Sequence, residues 1–294
     1  MKVAVFGGAG FVGSHVADAL TERGHDVVIF DARESVYRQA SQQMVIGTIL
    51  DADLVATVVR GCDAVYQFAG MADVDECRTR PIETVTANVL GTTILLAACA
   101  AAKIQRFVFA STVYVYSQSG GFYRASKQAC ELYIEEFERQ NGLAFTILRY
   151  GTLYGRRADP RNSVHRFLAE ALEHGRIQYF GNGEEIREYI HVADAARCSV
   201  DILSPDYANQ HVVLTGHQAM RVKDLMLMIR EITGKPIAVD YVQDASALLG
   251  HYTVTPYSYQ PKIARKLVSA YYLDMGQGLL DCLHELSAGT VKEP

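Results

Sequence analysis

Tyr123 and Lys127 stand four residues apart in Tyr123-Arg-Ala-Ser-Lys127. On a helix that spacing puts a phenol and an ammonium one turn apart on one face. A cation beside a phenol stabilises the phenolate and lowers its pKa. A tyrosine tuned in this way can take a proton from a hydroxyl as hydride leaves the same carbon. Tyr-x-x-x-Lys is common on helix surfaces, so the pair means little without a hydride acceptor nearby.

A second motif supplies that context. Gly7-Gly-Ala-Gly10-Phe-Val-Gly13 has the spacing G-x-x-G-x-x-G. Glycines let a backbone turn tightly and approach a pyrophosphate with no Cβ in the way. A helix that follows offers free N–H groups and the positive end of its dipole. The apolar run Val3–Phe6 precedes the turn and reads as a buried strand. Ser14–Arg23 follows, with Val16, Ala17, Ala19 and Leu20 at helical spacing and Gly24 as its stop. Asp31 ends a second strand, Val27–Phe30, 18 residues after Gly13. A carboxylate there accepts from the adenosine ribose 2′-OH and repels a 2′-phosphate, so NAD is favoured over NADP. Arg33 is read as a solvated surface charge.

The elements that must position these motifs recur along the chain. Ala64–Phe68, Phe107–Ala110 and Thr146–Tyr150 are further apolar strands. Helical stretches fall near Asp53–Val59, Asn88–Ala102 and Arg124–Asn141. Strands apolar on both faces and separated by helices imply a doubly wound parallel α/β sheet over residues 1–150. Residues 151–294 read as a smaller α/β substrate lobe over the carboxyl ends of the strands. Ser163–His174 and Val222–Thr233 look helical, and Ile177–Phe180 and His211–Leu214 look extended. A segment near 177–200 is expected to return to the main sheet. The stretch holding Tyr252, Tyr257 and Tyr259 is turn-like.

Composition narrows the class. The 294 residues are 49% hydrophobic and 21% charged, which is ordinary for a globular chain. A net charge of −5 argues against nucleic acid as a partner. Six scattered cysteines form no C-x-x-C pair and no metal-ligand spacing with histidine, so no metal is expected and the thiols read as buried and reduced. With no leader-like start and no apolar stretch of about 18–20 residues, a cytoplasmic protein without a membrane partner is expected.

In this setting the chain resembles the extended short-chain dehydrogenases/reductases of the nucleotide-sugar epimerase and dehydratase group. The signposts run in order: the Gly7–Gly13 turn, Phe68-Ala-Gly70, Asn88-Val-Leu-Gly-Thr92, Phe109-Ala-Ser-Thr-Val-Tyr-Val-Tyr116, Tyr123-x-x-x-Lys127, Arg149-Tyr-Gly-Thr-Leu-Tyr-Gly155, and Gly181 through Asp194. The resemblance implies a Rossmann-type domain that binds NAD through Gly7, Gly10, Phe11, Val12, Gly13, Asp31, Ile49, Ala69, Gly70, Tyr123, Lys127 and Tyr150. It implies that Thr112 hydrogen-bonds the reacting hydroxyl, Tyr123 is the acid/base, and Lys127 is its pKa partner. Thr152 and Arg187 fall among the substrate contacts, with Arg187 on the diphosphate; an ion pair with Glu184, Glu185 or Glu188 is the structural reading of that arginine. The helices Asn88–Ala102 and Arg124–Asn141 are those through which such proteins pair as homodimers.

The pattern also departs from the group. Only Ser117–Phe122 separate Tyr116 from Tyr123, where relatives carry a longer loop over the substrate, so the pocket is open or otherwise roofed. Thr48 stands where an aspartate commonly meets the adenine, with Asp51 close by. Thr152 replaces an asparagine. The late Arg-Pro-Gly-Asp motif is absent near His251–Tyr257. The 4,6-dehydratases place Asp-Glu after the catalytic threonine and the decarboxylases a glutamate, whereas Val113 and Tyr114 follow Thr112 here. The expected reaction is therefore 4-epimerisation of a nucleotide sugar with tightly bound NAD, through a transient 4-keto sugar. A single-step reductase, dehydrogenase or dehydratase is the alternative within catalysis. A non-catalytic dinucleotide sensor is the alternative outside it, disfavoured because Thr112, Tyr123 and Lys127 are all present.

Overall fold

The computed structural model describes residues 1–242, 250–256, 265–267 and 271–289. Tyr257 and Tyr259 lie outside them. The first half alternates β1 (Lys2–Phe6), β2 (Asp26–Asp31), β3 (Gln43–Ile46), β4 (Ala64–Gln67), β5 (Arg106–Thr112) and β6 (Phe145–Tyr150) with helices. These are α1 (Phe11–Glu22), α2 (Ala52–Val59), α3 (Val74–Thr79), α4 (Pro81–Thr84), α5 (Gly91–Ala102) and α6 (Gly121–Asn141). The second half adds β7 (Thr152–Tyr154), α7 (Ser163–His174), β8 (Arg176–Phe180), β9 (Ile186–His191), α8 (Val192–Asp201) and β10 (Gln210–Leu214). It continues with β11 (Ala219–Arg221), α9 (Val222–Thr233), β12 (Ala238–Val242), β13 (Arg265–Lys266) and α10 (Met275–Gly289).

The main sheet is parallel throughout, in the order β13-β10-β6-β5-β4-β1-β2-β3. Alternate residues of each strand feed opposite faces. Val3 and Val5 pack on one side with Val16 and Leu20 of α1 and Ala195 and Ala196 of α8. Ala4 and Phe6 pack on the other with Val55 of α2, Leu95 and Leu96 of α5, and Ile134 of α6. A sheet buried on both faces needs such continuous apolar strands, which is why they stood out in the sequence. Strand order reverses between β1 and β4, so a crevice opens at their carboxyl ends, where doubly wound sheets hold ligands.

The returning segment differs from expectation. The strand Ile177–Phe180 belongs to β8, which pairs with β12 in a separate two-stranded sheet. Its residues alternate between exposed and buried, which suits a half-covered ribbon and not a doubly covered sheet. The segment that does return is α8 and β10, and β10 pairs with β6. Tyr66 and Tyr150 of the sheet anchor α8, bonding the Ser199 carbonyl at 2.7 Å and the Ser199 hydroxyl at 2.6 Å. The lobe has its own core around Phe167, Leu168, Ile177, Leu225 and Leu279.

The helix expected over Asn88–Ala102 is the second half of a longer one. It runs from Pro81 through a π turn at Val85–Leu90 to Ala102. The expectation that no segment has bilayer-spanning length needs correcting here. This 22-residue helix is long and apolar enough by composition, although Leu95, Leu96 and Cys99 turn into the sheet core. All six cysteines are buried, and none is in a disulfide.

Candidate active site

The glycine turn is built by the absence of side chains. Gly7 follows β1 at φ +80°, and a Cβ there would lie 2.5 Å from the Ala69 nitrogen. A Cβ on Gly13 would lie 2.2 Å from the Gly7 carbonyl oxygen. Neither neighbour can yield, because both are backbone. Gly10 caps α1 with no side-chain hydrogen bond, and no acid stands in the helix's first turn. The N–H groups at Phe11, Val12 and Gly13 thus head a helix that carries no acid of its own in the first turn. Those features fit a dinucleotide pyrophosphate.

Asp31 ends β2 beside the turn. Its Oδ2 accepts from the Ala9 N–H at 3.0 Å and its Oδ1 from the Arg33 N–H at 3.3 Å. A carboxylate with two oxygens retains capacity for a ribose hydroxyl. The Arg33 side chain is exposed. Ile49 is buried against the helix layer at Gly91, and Thr48 is exposed. Asp51 caps α2 and accepts from the Leu54 N–H at 3.1 Å. Ala69 and Gly70 follow β4 across the crevice from Gly7. Gly70 closes on Asn88, whose side chain bonds the Met71 N–H and carbonyl and the Ser126 hydroxyl. Asn88 lies inside the π turn, which points it at the site, a common use of such turns.

Thr112 ends β5 and is in register with Tyr150 on β6. The catalytic helix α6 starts at Gly121, three residues before the expected Arg124, which puts Tyr123 in its first turn. Thr112 lies beside the Tyr123 phenol, and its Oγ1 accepts from the Tyr114 N–H at 3.2 Å. Lys127 is buried one turn on and donates to the Ala110 carbonyl at 2.8 Å. Its Nζ lies 5.8 Å from the Tyr123 ring centroid.

The expected lowering of the tyrosine pKa is not what the protein alone does. Burial pushes the Tyr123 phenol well above its ordinary value, partly offset by the neighbouring Thr112 hydroxyl. Burial likewise pulls Lys127 down. Desolvation outweighs an ammonium whose hydrogen bond goes to the Ala110 backbone carbonyl.

Beneath this turn lies a buried ion pair. Arg149 on β6 and Glu131 on α6 meet at 2.6 Å with both side chains essentially inaccessible. Ser111 donates to the same carboxylate at 2.6 Å, and Tyr116 and His211 bond the guanidinium. The pair fastens α6 to the sheet just after Lys127. Tyr150 turns its hydroxyl to Ser199, inside the core.

The roof is supplied by a distant segment. The Gly120 N–H donates to the Gly250 carbonyl at 3.0 Å, and residues 250–255 run on beside β9, where the Ile186 N–H donates to the Thr253 carbonyl at 2.7 Å. Tyr252 packs against Tyr114 in a tilted arrangement with ring centroids 4.7 Å apart, and its hydroxyl is 3.2 Å from that of Thr152. Arg187 lies over the Tyr252 ring at 4.5 Å. Its Nη1 donates to the Ile186 and Thr253 carbonyls, and no carboxylate among the described residues pairs with it. Glu184 is taken by Lys223 and Arg221, and Glu188 by Lys266. Tyr114, His251 and Tyr252 are parts of this site that the sequence reading missed. Tyr114 drew notice only for not being an acid, and no spacing links residues 250–255 to the site.

A cavity of about 270 Å³ lies elsewhere, lined by Tyr154, His191, Asp194, His217 and Tyr272 among others. It includes none of Thr112, Tyr123 and Lys127, so convergent chemistry at the switch point, not enclosure, locates the site.

Comparison with known proteins agrees with this arrangement. The NAD dependent epimerase/dehydratase family matches residues 3–214, and the chain belongs to that family. It is therefore an NAD-dependent enzyme of the extended short-chain dehydrogenase/reductase type. It is similar to a UDP-glucose 4-epimerase of Corynebacterium glutamicum, 30% identical over 272 residues, which make up 82% of this chain and 83% of the relative. It is also similar to a dTDP-glucose 4,6-dehydratase of Streptomyces antibioticus, 31% identical over 221 residues and 66% of each chain. The fold matches UDP-glucuronic acid 4-epimerase from Bacillus cereus, solved with UDP-glucuronic acid and NAD. The TM-score is 0.86 at 23% identity, covering 98% of this chain and 99% of that one.

Proposed function

We propose that the protein is a nucleotide-sugar 4-epimerase that retains its NAD. One observation carries the choice of reaction. Thr112, Tyr123 and Lys127 converge at the crevice, while the two residues after Thr112 are Val113 and Tyr114 and not carboxylic acids. Bound NAD supplies a reversible hydride acceptor, held by Gly7, Gly10, Phe11, Val12, Gly13 and Asp31, with Ile49, Ala69, Gly70 and Tyr150 lining its path. Thr112 orients the C4 hydroxyl, and Tyr123 removes its proton as that carbon becomes a ketone. Lys127 keeps a positive charge beside the phenol. The 4-keto sugar then turns, and Tyr123 returns the proton after reduction on the other face. Arg187 takes the diphosphate, its guanidinium held over the Tyr252 ring, and Thr152 lies alongside.

A homodimer is part of this reading. Ile82, Val85 and Leu90 on the Pro81–Ala102 helix are exposed, as are Leu132 and Tyr133 on α6. Light scattering on the purified protein is expected to give twice the chain mass.

The reading is tested by denaturing the protein and assaying the supernatant for NAD, then following C4 inversion across UDP-, GDP-, CDP- and dTDP-sugars. Inversion without net change in NAD is expected. Tyr123→Phe is expected to lose about a thousandfold in turnover with NAD retained. Stoichiometric NADH release would instead identify a single-step oxidoreductase. No bound dinucleotide together with no inverted sugar would sink the reading.

A further inference from the structure

We propose that Arg157 is the clasp that keeps NAD in its site, by locking the chain between β2 and β3, which walls the adenosine end of the cofactor, to the substrate lobe. The inference rests on the retained NAD proposed above and names a residue that retains it.

Backbone conformation is the first argument. Arg157 has φ +65°, in a region that is unfavourable for any residue with a Cβ. Lys103 and Asn209 share that sign. Lys103 caps the end of α5, where a left-handed residue is an ordinary stop, and asparagine tolerates the region. Arg157 ends no helix and lies just past β7, so its contacts impose the conformation. Strain of this kind persists only where the surroundings over-determine it, and it gathers at ligand clamps.

Those contacts are the second. The Arg157 N–H donates to both carboxylate oxygens of Glu285 on α10, each at 3.0 Å. Its Nη2 donates to Asp18 Oδ2 on α1 at 2.7 Å, and its guanidinium lies over the Tyr37 ring at 4.5 Å. The ion pair with Asp18 is well shielded, with side chains 21% and 16% exposed. One arginine thus joins the last helix of the lobe, the helix of the glycine turn and the chain after β2. The preceding Arg156 carbonyl meets His15 on the same helix α1.

What is held is the third. Residues 32–42 start from Asp31, whose Oδ1 accepts from the Arg33 N–H. They finish at Gln39 and Gln42, whose side-chain amides donate to Asp18 Oδ1 at 2.8 Å and 3.1 Å. One oxygen of Asp18 therefore fixes the far end of this chain, and the other fixes Arg157. Between the two ends Val36, Tyr37 and Arg38 are exposed, and Arg157 reaches them from the lobe. An adenosine seated on Asp31 has this chain as its outer wall and must displace it to leave.

The arrangement suits retention and not chemistry. Arg157 Nη1 is buried with no partner among the described residues, so the guanidinium keeps its place with one hydrogen bond unmade. Its bond to Asp18 and its contact with Tyr37 tether a wall and touch no reacting atom. Arg157 is thus a positioning residue, which slows the exit of NAD and leaves proton and hydride transfer as they are. An enzyme that regenerates its cofactor in place gains from a slow exit, whereas one that trades NAD for NADH in each cycle does not.

Exchange of NAD tests this directly, because it needs no turnover. Protein loaded with isotopically labelled NAD is mixed with excess unlabelled NAD, and the label left on the protein is followed by native mass spectrometry. Arg157→Ala is expected to exchange about tenfold faster than wild type, and Tyr37→Leu about fivefold faster. The double variant is expected to match the faster single variant, because the two residues form one contact. Arg157→Gly relieves the backbone without restoring the side chain, so it is expected to exchange as fast as Arg157→Ala. Thermal unfolding of the NAD-stripped proteins is measured alongside, so that rates are compared per folded molecule. C4 inversion at saturating NAD is expected to stay at the wild-type rate. A wild-type exchange rate in either Arg157 variant, or effects of Arg157 and Tyr37 that multiply in the double variant, overturns the proposal. Fast exchange that tracks Arg157 in a protein that inverts no C4 centre supports the clasp and fails the epimerase reading instead.

Discussion

Gly7, Gly10 and Gly13 form the dinucleotide end of the site by having no side chains, whereas Tyr114, Tyr252 and Arg187 form the substrate end by packing side chain against side chain. The first end is local. It uses one strand, one turn and one helix, and its tolerances are those of backbone against backbone. The second is assembled from β5, β9 and residues 250–255, and its contacts are ring faces and hydroxyls. Backbone geometry leaves a spacing in the sequence, and converging side chains do not.

The largest expected effect comes from the foundation that both ends share. Arg149→Met leaves Glu131 buried without its cation, at a cost of about 3–5 kcal/mol. Thermal unfolding should shift down by roughly 10 °C. Dinucleotide binding and turnover should fall together, since α6 and the sheet lose their common fastening. A variant that lost one and kept the other would show the two ends to be independent of this pair.

Gly13→Ala strikes only the dinucleotide end. Its methyl would sit 2.2 Å from the Gly7 oxygen. Overpacking of about 3 kcal/mol is expected, or roughly a hundredfold loss of bound NAD, measured by titration of the stripped protein. Gly24→Ala is the control. Its φ is +79° but nothing lies within 4 Å of a Cβ, so about 1 kcal/mol of stability is lost with binding intact. Equal loss of NAD in both variants would refute the steric account of the turn.

This asymmetry explains what could be read in advance. The apolar runs Val3–Phe6, Val27–Phe30 and Thr146–Tyr150 announced a doubly covered sheet, because no other setting buries both faces of a strand. Gly7 to Gly13, Asp31, Thr112, Tyr123 and Lys127 were legible as a motif series. The strand at Ile177–Phe180 was legible but its sheet was not, since the alternation of β8 fits a ribbon as well as a sheet edge. The start of the Pro81–Ala102 helix was hidden by the proline and by the π turn, which breaks helical period. Spacing reports Lys127 as a neighbouring charge and not the depth at which Tyr123 is buried, which raises its pKa in the protein alone. His251 and Tyr252 reach the site from more than a hundred residues away, and only tertiary structure brings them there.

Tyr252→Leu separates the two ends from the other side. It removes the ring beneath Arg187 and the hydroxyl beside Thr152. A loss of about 1–2 kcal/mol, or roughly tenfold in nucleotide-sugar affinity, is expected with NAD binding unchanged. Calorimetry with a nucleoside diphosphate is enough to check it. An NAD loss of the same size would mean that the substrate end also shapes the dinucleotide end.

His15 is where the two regions touch, and it has the smallest expected effect. Its Nε2 donates from α1 to the Arg156 carbonyl at 3.0 Å, just beyond β7. Burial lowers its pKa from 6.5 to about 4, against the raising effect of that bond. The unfolded chain therefore takes up a proton between pH 6.5 and about 4 that the folded chain refuses. Stability falls as pH falls through that window, while above it both states hold the ring neutral and the residue adds no slope. The full shift would correspond to about 3 kcal/mol, and solvent screening of a partly exposed ring reduces this to about 1–2 kcal/mol. His15→Gln keeps a donor toward Arg156 and cannot titrate. Its stability should drop less than the wild type's between neutral pH and pH 4.5, measured by urea unfolding at each pH. Parallel curves for the two proteins would mean that the contact between the regions opens before the imidazole charges, and that α1 and the lobe are less firmly joined than this bond implies.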